Sequence, residues 1–113
     1  MLKKCKITIH DISIIVNMKK TLTSIKIWET LPYTSINKKW GDENYFRFNI
    51  NCPLERDAKT VIELGDIVFW PEGKCIAIGY GPTPISNNQE IRLISKCNIW
   101  GQSTCNIYRL KSF

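Results

Sequence analysis

Glu63-Leu64-Gly65-Asp66-Ile67-Val68-Phe69-Trp70-Pro71-Glu72-Gly73-Lys74-Cys75-Ile76-Ala77-Ile78-Gly79-Tyr80 is the stretch that decides the fold. Two runs rich in β-branched and aromatic residues, Ile67–Trp70 and Lys74–Tyr80, flank Pro71-Glu72-Gly73. Proline presets the backbone angle that opens a turn, and glycine adopts conformations other residues avoid. The stretch therefore predicts strand, tight turn, returning strand. Val61–Leu64 adds a shorter strand before the Gly65-Asp66 turn.

The same punctuation continues outward in both directions. Lys6–Ile9 and Ile12–Ile14 alternate around His10-Asp11, which predicts a hairpin. Tyr45–Ile50 follows a Gly41-Asp42 turn. Alternation along that strand puts Phe46, Phe48 and Ile50 on the core face and Tyr45, Arg47 and Asn49 on the other. Ile91–Ile94, Cys97–Trp100 and Cys105–Leu110 complete the strands. Only Thr21–Leu31 departs from this pattern: Leu22, Ile25 and Trp28 recur at helical spacing and Pro32 ends the run. That predicts one helix, capped by Asn17 or Thr21, with Trp28 turned to the core. About eight strands and one helix in 113 residues predict a single, mainly all-β domain over 1–113. A small closed barrel satisfies this pattern and removes exposed strand edges.

The formal net charge of +6 is placed unevenly. Residues 1–40 hold eight lysines against Asp11 and Glu29, whereas the remainder is balanced. Such an excess serves either as a solvated surface or as a footprint for a polyanion. All four arginines lie outside the basic third, and nucleic-acid sites lean on arginine forks, so the solvated surface is the better reading. No apolar run reaches the length of a membrane span, and Met1–Lys6 leads into no signal-type apolar segment. The expectation is a cytoplasmic protein without a membrane partner. Five cysteines, an odd number, are then expected as free thiols. With one histidine, His10, and no Cys-x-x-Cys, no metal site is expected, and no glycine-rich nucleotide loop or other cofactor element is present.

Three stretches carry a family resemblance: Trp40-Gly41-Asp42-Glu43-Asn44-Tyr45-Phe46, Glu63 to Lys74, and Gly79-Tyr80-Gly81-Pro82-Thr83-Pro84. In this order and spacing, with the helix ending at Leu31-Pro32 and the late strand Cys97–Gly101, the chain resembles the small prokaryotic cyclophilin-like family. The resemblance covers nearly the whole chain. It implies a closed eight-stranded barrel capped by a helix, one or two short helices in all.

Cyclophilins isomerise X–Pro bonds on the outer barrel face, using an Arg beside a pocket of Phe, Gln, Trp and His. The strand Tyr45–Ile50 resembles the strand bearing that Arg, which makes Arg47 the candidate catalytic residue. No residue of this chain matches the Gln or the His. A guanidinium that hydrogen-bonds the twisted prolyl nitrogen lowers the barrier without nucleophile, metal or base. Tyr45, Trp40, Trp70, Tyr80, Thr83 and Trp100 are the candidate ligand-binding residues. The same aromatics serve equally well as plugs at the ends of a small barrel. Glu43 or Asp66 is expected to brace backbone N–H groups in a turn.

A small barrel is filled by its own side chains, which directs any site to the outer face or a rim. The favoured reading is a non-enzymatic cyclophilin-like module binding a peptide or small molecule. A weak or specialised prolyl isomerase is the first alternative, and a basic nucleic-acid-binding barrel the second.

Overall fold

The computed structural model describes residues 3–113; Met1 and Leu2 lie outside the described residues. Strands β1 (Lys4–Ile9) and β2 (Ile12–Met18) form the first hairpin, with Ile9 opposite Ile12 and His10 in the left-handed region at φ 55°. Helix α1 (Leu22–Thr30) follows, then β3 (Lys38–Lys39), β4 (Glu43–Arg47), β5 (Lys59–Ile62), β6 (Asp66–Trp70), β7 (Cys75–Gly79) and β8 (Ile91–Gln102). A short 3-10 helix, Ile107–Ser112, ends the chain where a strand over Cys105–Leu110 was expected. The segments Ile91–Ile94 and Cys97–Trp100 are one strand, β8. Its first half pairs with β5 and its second half with β6 and β2.

All pairings are antiparallel, in the order β1-β2-β8-β6-β7-β4-β3, with β5 attached to β8. The two ends of this path do not pair, so the closed barrel is not formed. Closure would require the segment after α1 to ladder onto β1. Instead Tyr33 turns towards Phe48, with ring centroids 4.3 Å apart, and its hydroxyl accepts a hydrogen bond from Asn49 N–H at 3.2 Å. Only two residues, Lys38 and Lys39, then pair with β4.

Two apolar clusters lie on opposite faces of the sheet. The larger joins Ile12, Ile14, Val16, Phe48, Ile67, Phe69, Ile76, Ile78 and Trp100, with Phe46 packed against it. The smaller joins Ile62, Val68, Ala77, Ile91, Leu93 and Cys97, with Tyr45 and Trp70 at its margin. Burial alternates from Arg47 to Ile50, at the end of β4 and just beyond it, with Phe48 and Ile50 buried and Arg47 and Asn49 exposed, while Tyr45 and Phe46 are both half-buried.

Helix α1 reverses its expected orientation. Thr21 caps it, accepting a hydrogen bond from Ser24 N–H at 3.1 Å, but Leu22, Ile25 and Trp28 face outward while Thr23, Ser24 and Ile27 are buried. Polar partners beneath the helix explain this. Thr23 Oγ1 donates to Glu55 Oε2 and accepts from Asn98 Nδ2 at 3.0 Å, and Ser24 Oγ donates to the Trp100 carbonyl at 2.7 Å. A buried polar group needs such partners, and the helix face that supplies them wins over the more apolar one. Trp28 instead lies under Lys3, whose Nζ is 4.4 Å from the ring centroid.

Candidate functional site

A groove of about 210 Å³ opens on the smaller-cluster face of the sheet. Its floor comes from Cys75 and Ala77 of β7, and Leu93, Ile94 and Cys97 of β8 form one side. The remaining lining is Trp40, Glu43, Tyr45 and Trp70. Sheet register explains the convergence: Tyr45, Ala77 and Val68 lie opposite one another across β4, β7 and β6, while Arg47, Cys75 and Trp70 form the adjacent row.

Two glycines set the walls. An added Cβ at Gly73 would stand 2.2 Å from Trp70 ring atoms, so only glycine lets the indole lie against the β6–β7 turn. Gly41, at φ +60°, turns the β3–β4 loop so that Trp40 and Glu43 close on each other, with Trp40 N–H donating to the Glu43 carbonyl at 2.9 Å. An added Cβ there would also stand 2.9 Å from Thr83 Cα and Pro84 Cδ. The loop over Gly81–Pro84 thus buttresses the Trp40–Glu43 turn, and Asp42 N–H donates to the Pro82 carbonyl at 2.9 Å.

Glu43 gives this groove its chemistry. The residue is 7% exposed, and its Oε1 is buried without a hydrogen-bond partner. No described cation pairs with it. Loss of solvation raises its carboxyl from 4.5 to about 7. Trp70 Nε1 is likewise buried and unpartnered. Trp100 Nε1 and Ser103 Oγ are also buried without a partner elsewhere in the fold, but only in this groove do two such atoms line one apolar cleft, where leaving them unpaired is costly. Burial also pushes the Cys97 thiol up to about 12, with the Glu43 charge adding to it, and raises the Cys75 thiol. Neither thiol is an activated nucleophile.

Of the sequence candidates, Trp40, Tyr45 and Trp70 meet in this groove. Arg47 shares the Glu43–Tyr45 face of β4 but stands exposed beyond the lining residues. Tyr80 is a core residue whose hydroxyl donates to Asn44 Oδ1 at 2.7 Å; burial raises it to about 12. Thr83 locks its own loop, its Oγ1 donating to the Arg92 carbonyl at 2.6 Å. Trp100 is 1% exposed on the opposite face. There it borders a second cavity of about 410 Å³, with Cys5, Ile7, Phe46 and Phe48, at the seam where the sheet fails to close. The interior is therefore not completely filled.

Of the two carboxylates offered for bracing a turn it is Asp66 that does so, accepting from Glu63 N–H at 3.0 Å, while Glu43 lines the groove. Its role was hidden because the sequence shows only that it alternates with Tyr45, and not that β8 folds over that face. Among the described residues no group of three metal-ligating side chains occurs, and no helix is long and apolar enough to cross a membrane. All five cysteines are free.

An antiparallel sheet of eight strands with one short α-helix is the architecture that comparison with known proteins places in a family. The family model described as Cyclophilin-like matches residues 3–113, and the chain belongs to that family. It is similar to the solution structure of the hypothetical protein AF2241 from Archaeoglobus fulgidus. The two share 32% identity over 89% of this chain and 79% of that one, with a TM-score of 0.76. No curated protein matches the chain.

Proposed function

We propose that the chain is a binding module whose outer-face groove takes one apolar side chain or a small molecule with a polar edge. The observation that carries this reading is the pair of buried, unpartnered polar atoms, Glu43 Oε1 and Trp70 Nε1, in an otherwise apolar groove. A ligand that hydrogen-bonds to them would offset the cost of their burial. The volume suits a single ring or branched side chain. The nine lining residues include no base, which argues against a phosphate backbone as occupant.

The test is a fragment titration followed by two-dimensional NMR. Ligands should shift the Trp40 and Trp70 indole N–H signals and leave Trp28 and Trp100 unmoved. Shifts confined to Trp100 would move the site to the seam cavity and refute the reading.

One observation favours prolyl isomerisation as a second reading: Glu43, Tyr45 and Arg47 share one face of β4, so a peptide in the groove could extend towards the guanidinium. A protease-coupled Ala-Pro assay separates the two. Turnover that disappears in Arg47→Ala supports isomerisation. Groove binding without turnover supports the module.

A further inference from the structure

The groove combines two features that meet in few ligand classes. Three of its nine lining residues are aromatic, and its single charged residue is a carboxylate without a countercharge. Aromatic π-faces attract cations, most strongly where water is excluded. A desolvated carboxylate asks for a positive partner for the same reason. We infer that the groove receives an organic ammonium group, with Glu43 as counter-ion and Trp40, Tyr45 and Trp70 as aromatic walls. This rests on the groove being the ligand site and adds to that reading the class of ligand.

The charged and titratable surroundings are consistent with such an occupant. Around Glu43 stand Tyr45 on its own strand, the Cys75 thiol on β7 and the Cys97 thiol on β8, both thiols held protonated at neutral pH by burial. Tyr80, also neutral, and Asp42 lie on its other side. Lys38 and Arg47 act on Cys75 from exposed positions, where solvent screens them. Neither forms an ion pair with Glu43. No described residue supplies a countercharge to the ionised form, and the ammonium of a ligand would bring one.

An ammonium binds the ionised carboxylate. Glu43 holds its proton up to about pH 7, so affinity should rise as pH climbs from 5.5 to 8 and then level off. A neutral ligand of the same shape has no reason to follow that curve.

Choline and its carbon isostere 3,3-dimethylbutan-1-ol differ only in the charged centre, and both are followed by the Trp40 and Trp70 indole N–H shifts. At pH 8 choline should bind at least about tenfold tighter than the isostere. The preference should shrink at pH 5.5 and vanish in Glu43→Gln, which retains isostere binding and thereby shows an intact groove. A blocked trimethyl-lysine peptide run beside choline distinguishes the source of the ammonium. Tighter binding of the peptide assigns it to a protein side chain, and equal binding to a free small molecule. If the isostere equals choline at pH 8, the ammonium assignment is wrong while the groove reading stands. If neither choline nor the isostere moves the indole signals, but other fragments do, the ammonium assignment falls alone. If no fragment moves them, both fall.

Discussion

Replacing Glu43 with Gln should stabilise this protein at alkaline pH and leave it nearly unchanged in acid. In the unfolded chain the carboxyl releases its proton near 4.5, whereas in the fold desolvation delays release to about 7. Between those values the folded state binds more protons than the unfolded one. Stability contributed by this site therefore falls as pH rises through the window, and the loss is complete above 7. At about 1.4 kcal/mol per pH unit, the window from 4.5 to about 7 amounts to about 3 kcal/mol. Glutamine is close in shape and never ionises, so the variant escapes the loss.

Urea denaturation of both proteins at pH 4.5 and pH 8 measures the difference free of every other titrating group. The expected result is near-equality at the lower pH and a variant more stable by about 3 kcal/mol at the higher. In melting temperature that is on the order of 10 °C. A difference independent of pH, or a variant less stable at pH 8, would mean that Glu43 has a partner and that the groove is not the desolvated site argued above.

Gly73→Ala should lose about 1–3 kcal/mol from overpacking against Trp70, with a shift in that indole's fluorescence or NMR signal. Asn98→Ala orphans Glu55 N–H and the Pro53 carbonyl beneath α1. It should cost about 1–3 kcal/mol per orphaned group, read from the urea midpoint. Arg47→Ala removes an exposed side chain with no ion pair and should move stability by less than about 1 kcal/mol. All five thiols should titrate in denaturant. In the native protein exposed Cys105 should react first and Cys97 among the last, and equal rates would contradict the burial described.

Period-2 alternation made the inner face of β4 and the β6–β7 hairpin legible in the sequence, because one buried face leaves its mark on every second residue. Helix α1 misled for the complementary reason. The face that packs carries Thr23 and Ser24, whose partners Glu55, Asn98 and the Trp100 carbonyl come from distant segments. Periodicity registers apolar residues and cannot see where a hydroxyl will find a partner. The open seam was equally hidden, since closure turns on whether Tyr33 follows β1 or bends to Phe48. Of the aromatics at strand ends and turns, Trp40 and Trp70 line the groove with Tyr45 from the outward face of β4, whereas Tyr80 and Trp100 are buried elsewhere. The carboxylate stood out only when β8 flanked the face it shares with Tyr45.

The strand path ends at β1 and β3, and unpaired backbone at such an edge is an invitation to polymerise. Both of these ends are guarded by lysine. Lys4 and Lys6 project from β1, and Lys38 and Lys39 make up the whole of β3. Two molecules approaching margin to margin would bring ammonium against ammonium before any backbone hydrogen bond could form. Half of the eight lysines in the first forty residues thus stand at the two ends of the strand path, where their charge opposes the edge-to-edge addition that isoleucine-rich strands invite.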